Sequence, residues 1–200
     1  MSQTENTYDP KTVKLLTFYD AIAAFKEEAD TPIDYLERCL ETIDNREPEV
    51  QAFVVMNIDG ARQAAIESTA RYKTNRPLSL VDGMPVCIKD LFETADMPTQ
   101  MNSPIYAGWQ SKRDAAHVYA LRRGGAVIVG KTVTTEFGQA TPGPTRNPFD
   151  STRTPGGSSS GTSAAVGAAM VPAGTGSQVR GSIQRPAGYC GNYSLKPTFG

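Results

Sequence analysis

The sequence predicts an α/β fold with a buried, largely parallel sheet. Short apolar runs at 85–88, 126–129 and 171–173 are separated by helical patterns. Runs that stay apolar instead of alternating belong to strands covered on both faces. Glycine is absent from residues 1–50 and appears ten times in 151–200, a segment that holds no Asp or Glu. A charged, helix-friendly front half thus feeds a turn-rich back half. Uncharged turns in a globular chain are usually buried or functional.

The elements follow in order. Residues 17–28 place Phe18, Ile22 and Phe25 on one helical face. Thr31-Pro32 starts a second helix, since Thr caps and Pro fits a first turn. Ile33, Leu36, Leu40 and Ile43 continue it, and Arg46-Glu47-Pro48 is expected to end it. A short buried strand is expected at 52–56 and an Ala-rich helix at 59–73. The strand at 85–88 leads directly into Lys89-Asp90. A helix at 114–123 stops on Gly124-Gly125, ahead of the strand at 126–129. A small-residue helix at 163–170 and a strand at 171–173 complete the pattern. The chain divides into an N-terminal helical segment, 1–75, and a core segment, 76–200.

Two hundred residues make one domain or part of a larger one. A net charge of −1 supplies no footprint for nucleic acid. No run of 18 apolar residues is present to span a membrane. The opening MSQTENTYDPKTVKLL lacks the charged-then-apolar order of an export signal. Cys39, Cys87 and Cys190 are odd in number and without metal spacing, so reduced thiols and a cytoplasmic location are expected.

The stretch from Thr154 to Gly188 holds two Gly/Ser turns, with Ser158 in the first and Ser182 in the second. Gly156 and Gly161 have P-loop spacing, but Thr162 stands where the lysine belongs. Gly174 and Gly176 begin a dinucleotide fingerprint that Val179 breaks. Gly157 to Gly161 fits a G-x-S-x-G elbow centred on Ser159. That mechanism needs a later histidine, and the only one in the sequence, His117, lies upstream. A flexible linker explains the first turn but not the second.

Serine chemistry with a lysine base remains. A serine hydroxyl is a weak nucleophile until a neighbour takes its proton. Burial at an apolar strand end depresses a lysine pKa, and Lys89 has that setting. On the residues alone, an ion pair with Asp90 or Glu93 explains Lys89 better.

Five blocks together carry a resemblance: Asp82-Gly83-Met84-Pro85-Val86-Cys87-Ile88-Lys89-Asp90, Gly124 to Thr132 with Glu136-Phe137, Pro155 to Gly161, Gly181 to Ala187, and Leu195-Lys196-Pro197. In this order they resemble the amidase signature family, closely over 80–200 and more loosely before it. The resemblance implies a central mixed β-sheet flanked by helices, of which this chain is the N-terminal part. It implies cleavage of a carboxylic amide with no metal or cofactor. It gives Ser182 as the nucleophile, Ser158 as a relay after a cis peptide bond, and Lys89 as the base. Backbone N–H groups of Val179, Arg180, Gly181 and Ser182 would hold the oxyanion, each such donor contributing about 3 kcal/mol. Ser159 would support the site and the substrate. The expected partner is a small-molecule amide, and a homodimer is compatible with the reading.

The loop before Ser182 departs from the family's Gly-Thr-Asp-Thr-Gly-Gly-Ser. Gln178 replaces Asp and keeps a hydrogen-bonding side chain, and Gln184 replaces a common arginine. Arg180 replaces glycine and would be strained if the position required positive φ. It is expected to narrow or charge the leaving-group side. Two alternatives accompany a free-standing amidase: the A subunit of a tRNA-dependent amidotransferase, working as a glutaminase, and a non-catalytic binding module.

Overall fold

The computed structural model describes residues 17–198; residues 1–16 of the N-terminal segment and Phe199-Gly200 lie outside the described residues. Four strands, β1 Phe53–Met56, β2 Pro85–Lys89, β3 Val127–Thr132 and β4 Ala173–Thr175, form one sheet in the order β1-β3-β2-β4. β2 is parallel to β3 and β4, and β1 is antiparallel to β3. The sheet is mixed, and the parallel pair β2–β3 is the one built from buried apolar runs. Among the described residues, six α-helices accompany it: α1 Phe18–Lys26, α2 Pro32–Val50, α3 Ile58–Lys73, α4 Ala116–Arg123, α5 Ser160–Gly167 and α6 Gln184–Tyr189.

Successive strand residues face opposite sides, and this sorts the core into two layers. Cys87, Val127 and Val129 pack with Leu36, Leu40, Ala61, Ala65, Ala164 and Ala165 of α2, α3 and α5. Val86, Ile88 and Ile128 pack on the other face with Met97 and with Val118 of α4. The register between β2 and β3 shifts after Val86, where the partner changes from Ile128 to Gly130. That shift reverses the facing of the end of β3. Lys131 thereby turns towards Pro98 and Thr99, while Thr132 meets Thr162 of α5 at 2.7 Å.

The N-cap expected at Thr31 is present, its side chain accepting the amide of Asp34, and Thr17 caps α1 in the same way by accepting the amide of Asp20. α2 differs from expectation because it passes through Pro48 to Val50. Val50 is buried in the core, so the extra turn gains apolar burial. The Glu47 carboxylate then accepts the amides of Ala52 and Phe53 at 3.0 and 2.8 Å, easing the exit. β1 is a partly exposed edge, not the buried strand expected at 52–56.

α5 begins at Ser160, three residues before the expected 163–170 helix. Serine and glycine suggest a turn there, but this helix needs them for a close approach. A β-carbon on Gly161 would stand 2.3 Å from the Ala52 carbonyl. β4 correspondingly occupies Ala173–Thr175 instead of 171–173, leaving Val171 in the core. α4 starts after Asp114, whose carboxylate instead accepts the Ala95 amide and Arg122. Among the described residues, no helix is long and apolar enough to cross a membrane.

Candidate active site

The three mutually parallel strands deliver their C-terminal ends to one edge of the sheet: Lys89 of β2, Thr132 of β3 and Thr175 of β4. Open α/β sheets place their ligands at such edges. Lys89 shares the parity of Cys87 and so faces the α5 side. There its Nζ donates to Ser158 Oγ at 2.7 Å and to Ser177 Oγ at 2.9 Å. The Lys89 side chain is 0% exposed, and removal from water disfavours its charged form, pushing its pKa down from 10.5 to about 8.

The ion pair that competes for Lys89 in the sequence is absent from the structure. Asp90 faces the opposite side, where its carboxylate meets Lys131 at 2.9 Å and accepts the amides of Gln100 and Met101 at 3.0 Å. Glu93 pairs with Arg113 at 2.8 Å. Lys89 is left with two hydroxyl acceptors and no carboxylate among its described hydrogen bonds and ion pairs.

The peptide bond between Gly157 and Ser158 is cis. Its carbonyl, on Gly157, accepts from Arg185 Nε at 3.2 Å and Nη2 at 2.9 Å. The amide of Ser159 donates to the Ser182 carbonyl at 3.1 Å, joining the two Gly/Ser turns through their backbones. Ser159 Oγ is buried and has no hydrogen-bond partner among the described residues. His117 packs edge-on against Phe92. The G-x-S-x-G reading therefore lacks its nucleophile–base contact.

The loop from Ser177 to Ser182 is shaped by Gln178. Its Oε1 accepts the amides of Ile183 and Gln184 at 2.9 and 3.0 Å, and its Nε2 donates to Gln184 Oε1 at 2.8 Å. Gln178 thus ties down the amides at the start of α6, a helix not expected from the sequence. The positive φ falls on Gly181, at 86°, and Arg180 is not among the residues with positive φ. The strain anticipated at Arg180 is thus absent. Among the described residues, the amides of Val179, Arg180, Gly181 and Ser182 meet no acceptor.

The structure therefore brings Lys89 and Ser158 into contact and ties the Ser182 carbonyl to the amide of Ser159, the residue after Ser158. Sequence reasoning missed Ser177. Its signal is positional, since it lies two residues beyond the end of β4, the strand hydrogen-bonded beside Lys89.

The Amidase family profile matches residues 34–200. The chain belongs to this family. Within the Amidase family, it is 41% identical over 191 residues to the A subunit of glutamyl-tRNA(Gln) amidotransferase from Chloroflexus aurantiacus, covering 92% of this chain and 39% of that protein. It is likewise 41% identical over 184 residues to the corresponding protein of Thermobifida fusca, covering 89% of this chain and 37% of that one. The chain thus spans about two fifths of the length of these relatives. Among solved structures it resembles native peptide amidase from Stenotrophomonas maltophilia, with a TM-score of 0.81, 29% identity, and coverage of 89% of this chain and 39% of that one. It also resembles 6-aminohexanoate cyclic dimer hydrolase, with a TM-score of 0.77, 28% identity, and coverage of 88% and 36%.

Proposed function

We propose that the complete protein cleaves a carboxylic amide through an acyl-enzyme on Ser182, with Lys89 as base and Ser158 as relay. The observation that carries this reading is the 2.7 Å contact between a fully buried, carboxylate-free Lys89 and Ser158. A lysine with a pKa of about 8 is partly neutral near physiological pH and accepts a proton there.

Ser182 Oγ attacks the amide carbonyl as its proton passes through Ser158 to Lys89. The unbonded amides from Val179 to Ser182 supply oxyanion donors. The C–N bond then breaks, and the proton returns through the relay to the departing amine. Water attacks the acyl group along the reverse path and regenerates Ser182. Ser177, the second acceptor for Lys89, acts as a positioning residue.

Labelling with a serine-directed fluorophosphonate tests the assignment in the full-length protein. One label on Ser182, lost in Ser182→Ala, is expected. Strong labelling that survives Ser182→Ala would overturn it.

A second reading is favoured by the 41% identity to amidotransferase subunits. Here the same centre releases ammonia from glutamine as the A subunit of a tRNA-dependent amidotransferase. Glutamine hydrolysis together with co-purifying partner subunits selects this reading. Turnover of simple amides by the isolated full-length chain, without glutaminase activity, selects the free-standing amidase.

A further inference from the structure

Beside the Lys89–Ser158 centre stands a group of aromatic rings that the reaction does not use. Tyr106 and Trp109 meet edge-on with ring centroids 5.8 Å apart, and Tyr106 and Phe137 meet edge-on at 6.0 Å. None of the three belongs to the described core clusters. Trp109 is 39% and Phe137 40% exposed, and Ile105 beside them is more exposed still. Partly exposed aromatics that touch one another, outside any core, mark a binding surface better than a packing role.

Backbone contacts bring the Phe137 end of this group next to the site. Asp90, next to Lys89, accepts the Met101 amide, and the Met101 carbonyl accepts the Phe137 amide at 3.0 Å. A β-carbon placed on the following residue, Gly138, would stand 3.7 Å from Ser158 Oγ. Phe137 itself has φ 49°, a left-handed backbone that a bulky side chain rarely adopts. Its conformation is held by the Phe137–Met101 bond and by the Gly138 amide on the Thr135 carbonyl at 2.7 Å. Such an outlier, fixed at a site's edge, points to a function for the side chain it carries.

We propose that Tyr106, Trp109 and Phe137 form a wall beside Ser158 that receives a flat apolar substituent, an aryl or arylalkyl group, of the amide substrate. This rests on the Lys89–Ser158 centre being an amide-cleaving site. Rings packed edge-to-face leave faces and edges for a further ring, which stacks or meets them at an angle. An acetyl group is too small to gain from that contact.

The test uses the full-length protein with acetamide and phenylacetamide. In Tyr106→Ala and Trp109→Ala, kcat/KM for phenylacetamide is expected to fall about tenfold or more, as for loss of an aromatic contact, with acetamide unchanged within about twofold. Equal losses for both amides, or none, overturn the wall. A second measurement does not depend on turnover. Trp109 is the only tryptophan in these 200 residues, and its emission is the difference between the parent protein and Trp109→Phe. Saturable quenching of that difference by phenylacetamide and not by acetamide is expected. A difference signal insensitive to phenylacetamide, or shielded from acrylamide by another part of the protein, overturns the proposal. Failure of the parent protein to hydrolyse any amide sinks the hydrolase reading instead, while the fluorescence result still decides whether the rings bind an aryl group.

Discussion

Lys89 and Asp90 are neighbours in the chain and face opposite sides of the sheet. Among the described residues Lys89 hydrogen-bonds to hydroxyls, Ser158 at 2.7 Å and Ser177 at 2.9 Å. Asp90 meets Lys131 at 2.9 Å. Strand alternation, with the register shift that turns Lys131 over, keeps the nearest carboxylate away from the buried amine. An Asp90–Lys89 pair would raise the lysine pKa and hold it charged.

The first prediction concerns pH. A base must be neutral to accept a proton, so kcat/KM for amide cleavage by the full-length protein should rise through a midpoint of about 8 and level off above it. Lys89→Ala should lower kcat on the order of a thousandfold or more. Linkage has the same sign. Between about 8 and the ordinary 10.5, the unfolded chain binds the proton that the folded lysine has released, so stability rises with pH across that window. A midpoint unchanged in Lys89→Ala would remove lysine from the mechanism.

Ser177→Ala deletes one acceptor of the Lys89 ammonium. The remaining amine is less well stabilised when charged, so the pH midpoint should move down. kcat should fall roughly ten- to a hundredfold with little change in KM. Ser177→Thr restores the hydroxyl and should restore both readouts.

Asp90→Asn leaves Lys131 buried against a neutral partner. Breaking one side of a buried pair costs about 3–5 kcal/mol, to be read from denaturant unfolding. Replacing both residues, as Asp90→Asn with Lys131→Met, should recover part of that loss. No recovery would mean that the pair acts only through its contacts with Gln100, Met101, Pro98 and Thr99.

Gly161→Ala drives a methyl group into the Ala52 carbonyl and the Val133 amide, both backbone atoms that cannot step aside. A destabilisation of about 1–3 kcal/mol is expected, measured as a drop in Tm. The same substitution at Gly188, where the added carbon meets nothing within 4 Å beyond its own stretch of helix, serves as the control.

Arg180→Gly should change the ratio of activities towards amides with charged and neutral amine groups, because Arg180 is exposed in the loop before Ser182. The fold should be unaffected, since the backbone there does not require glycine. An unchanged substrate profile would end that role.

The central strands and the helices before them were legible because burial on both faces leaves continuous apolar runs, as at Val86-Cys87-Ile88, because Phe18, Ile22 and Phe25 recur at helical spacing, and because Thr31 caps as its chemistry suggests. What was hidden depends on contacts distant in the chain. Pro48 continues a helix because Val50 finds the core. The start of α5 looks like a turn because its glycine is chosen for the approach to Ala52. Lys89 was visible as a lysine at a strand end, but its freedom from Asp90 depends on pleat and register. Ser177 carries no local signal and becomes visible only when β4 is laid beside β2.

Arg185 grips the carbonyl of Gly157 while the Ser159 amide grips the carbonyl of Ser182. Each Gly/Ser turn therefore carries a handle of the other, and displacement of one drags its counterpart along. Val179, 95% exposed, and Arg180 sit on the free rim of this clasp. Mutation at the rim can revise what the protein accepts while the spacing beneath it is inherited unchanged.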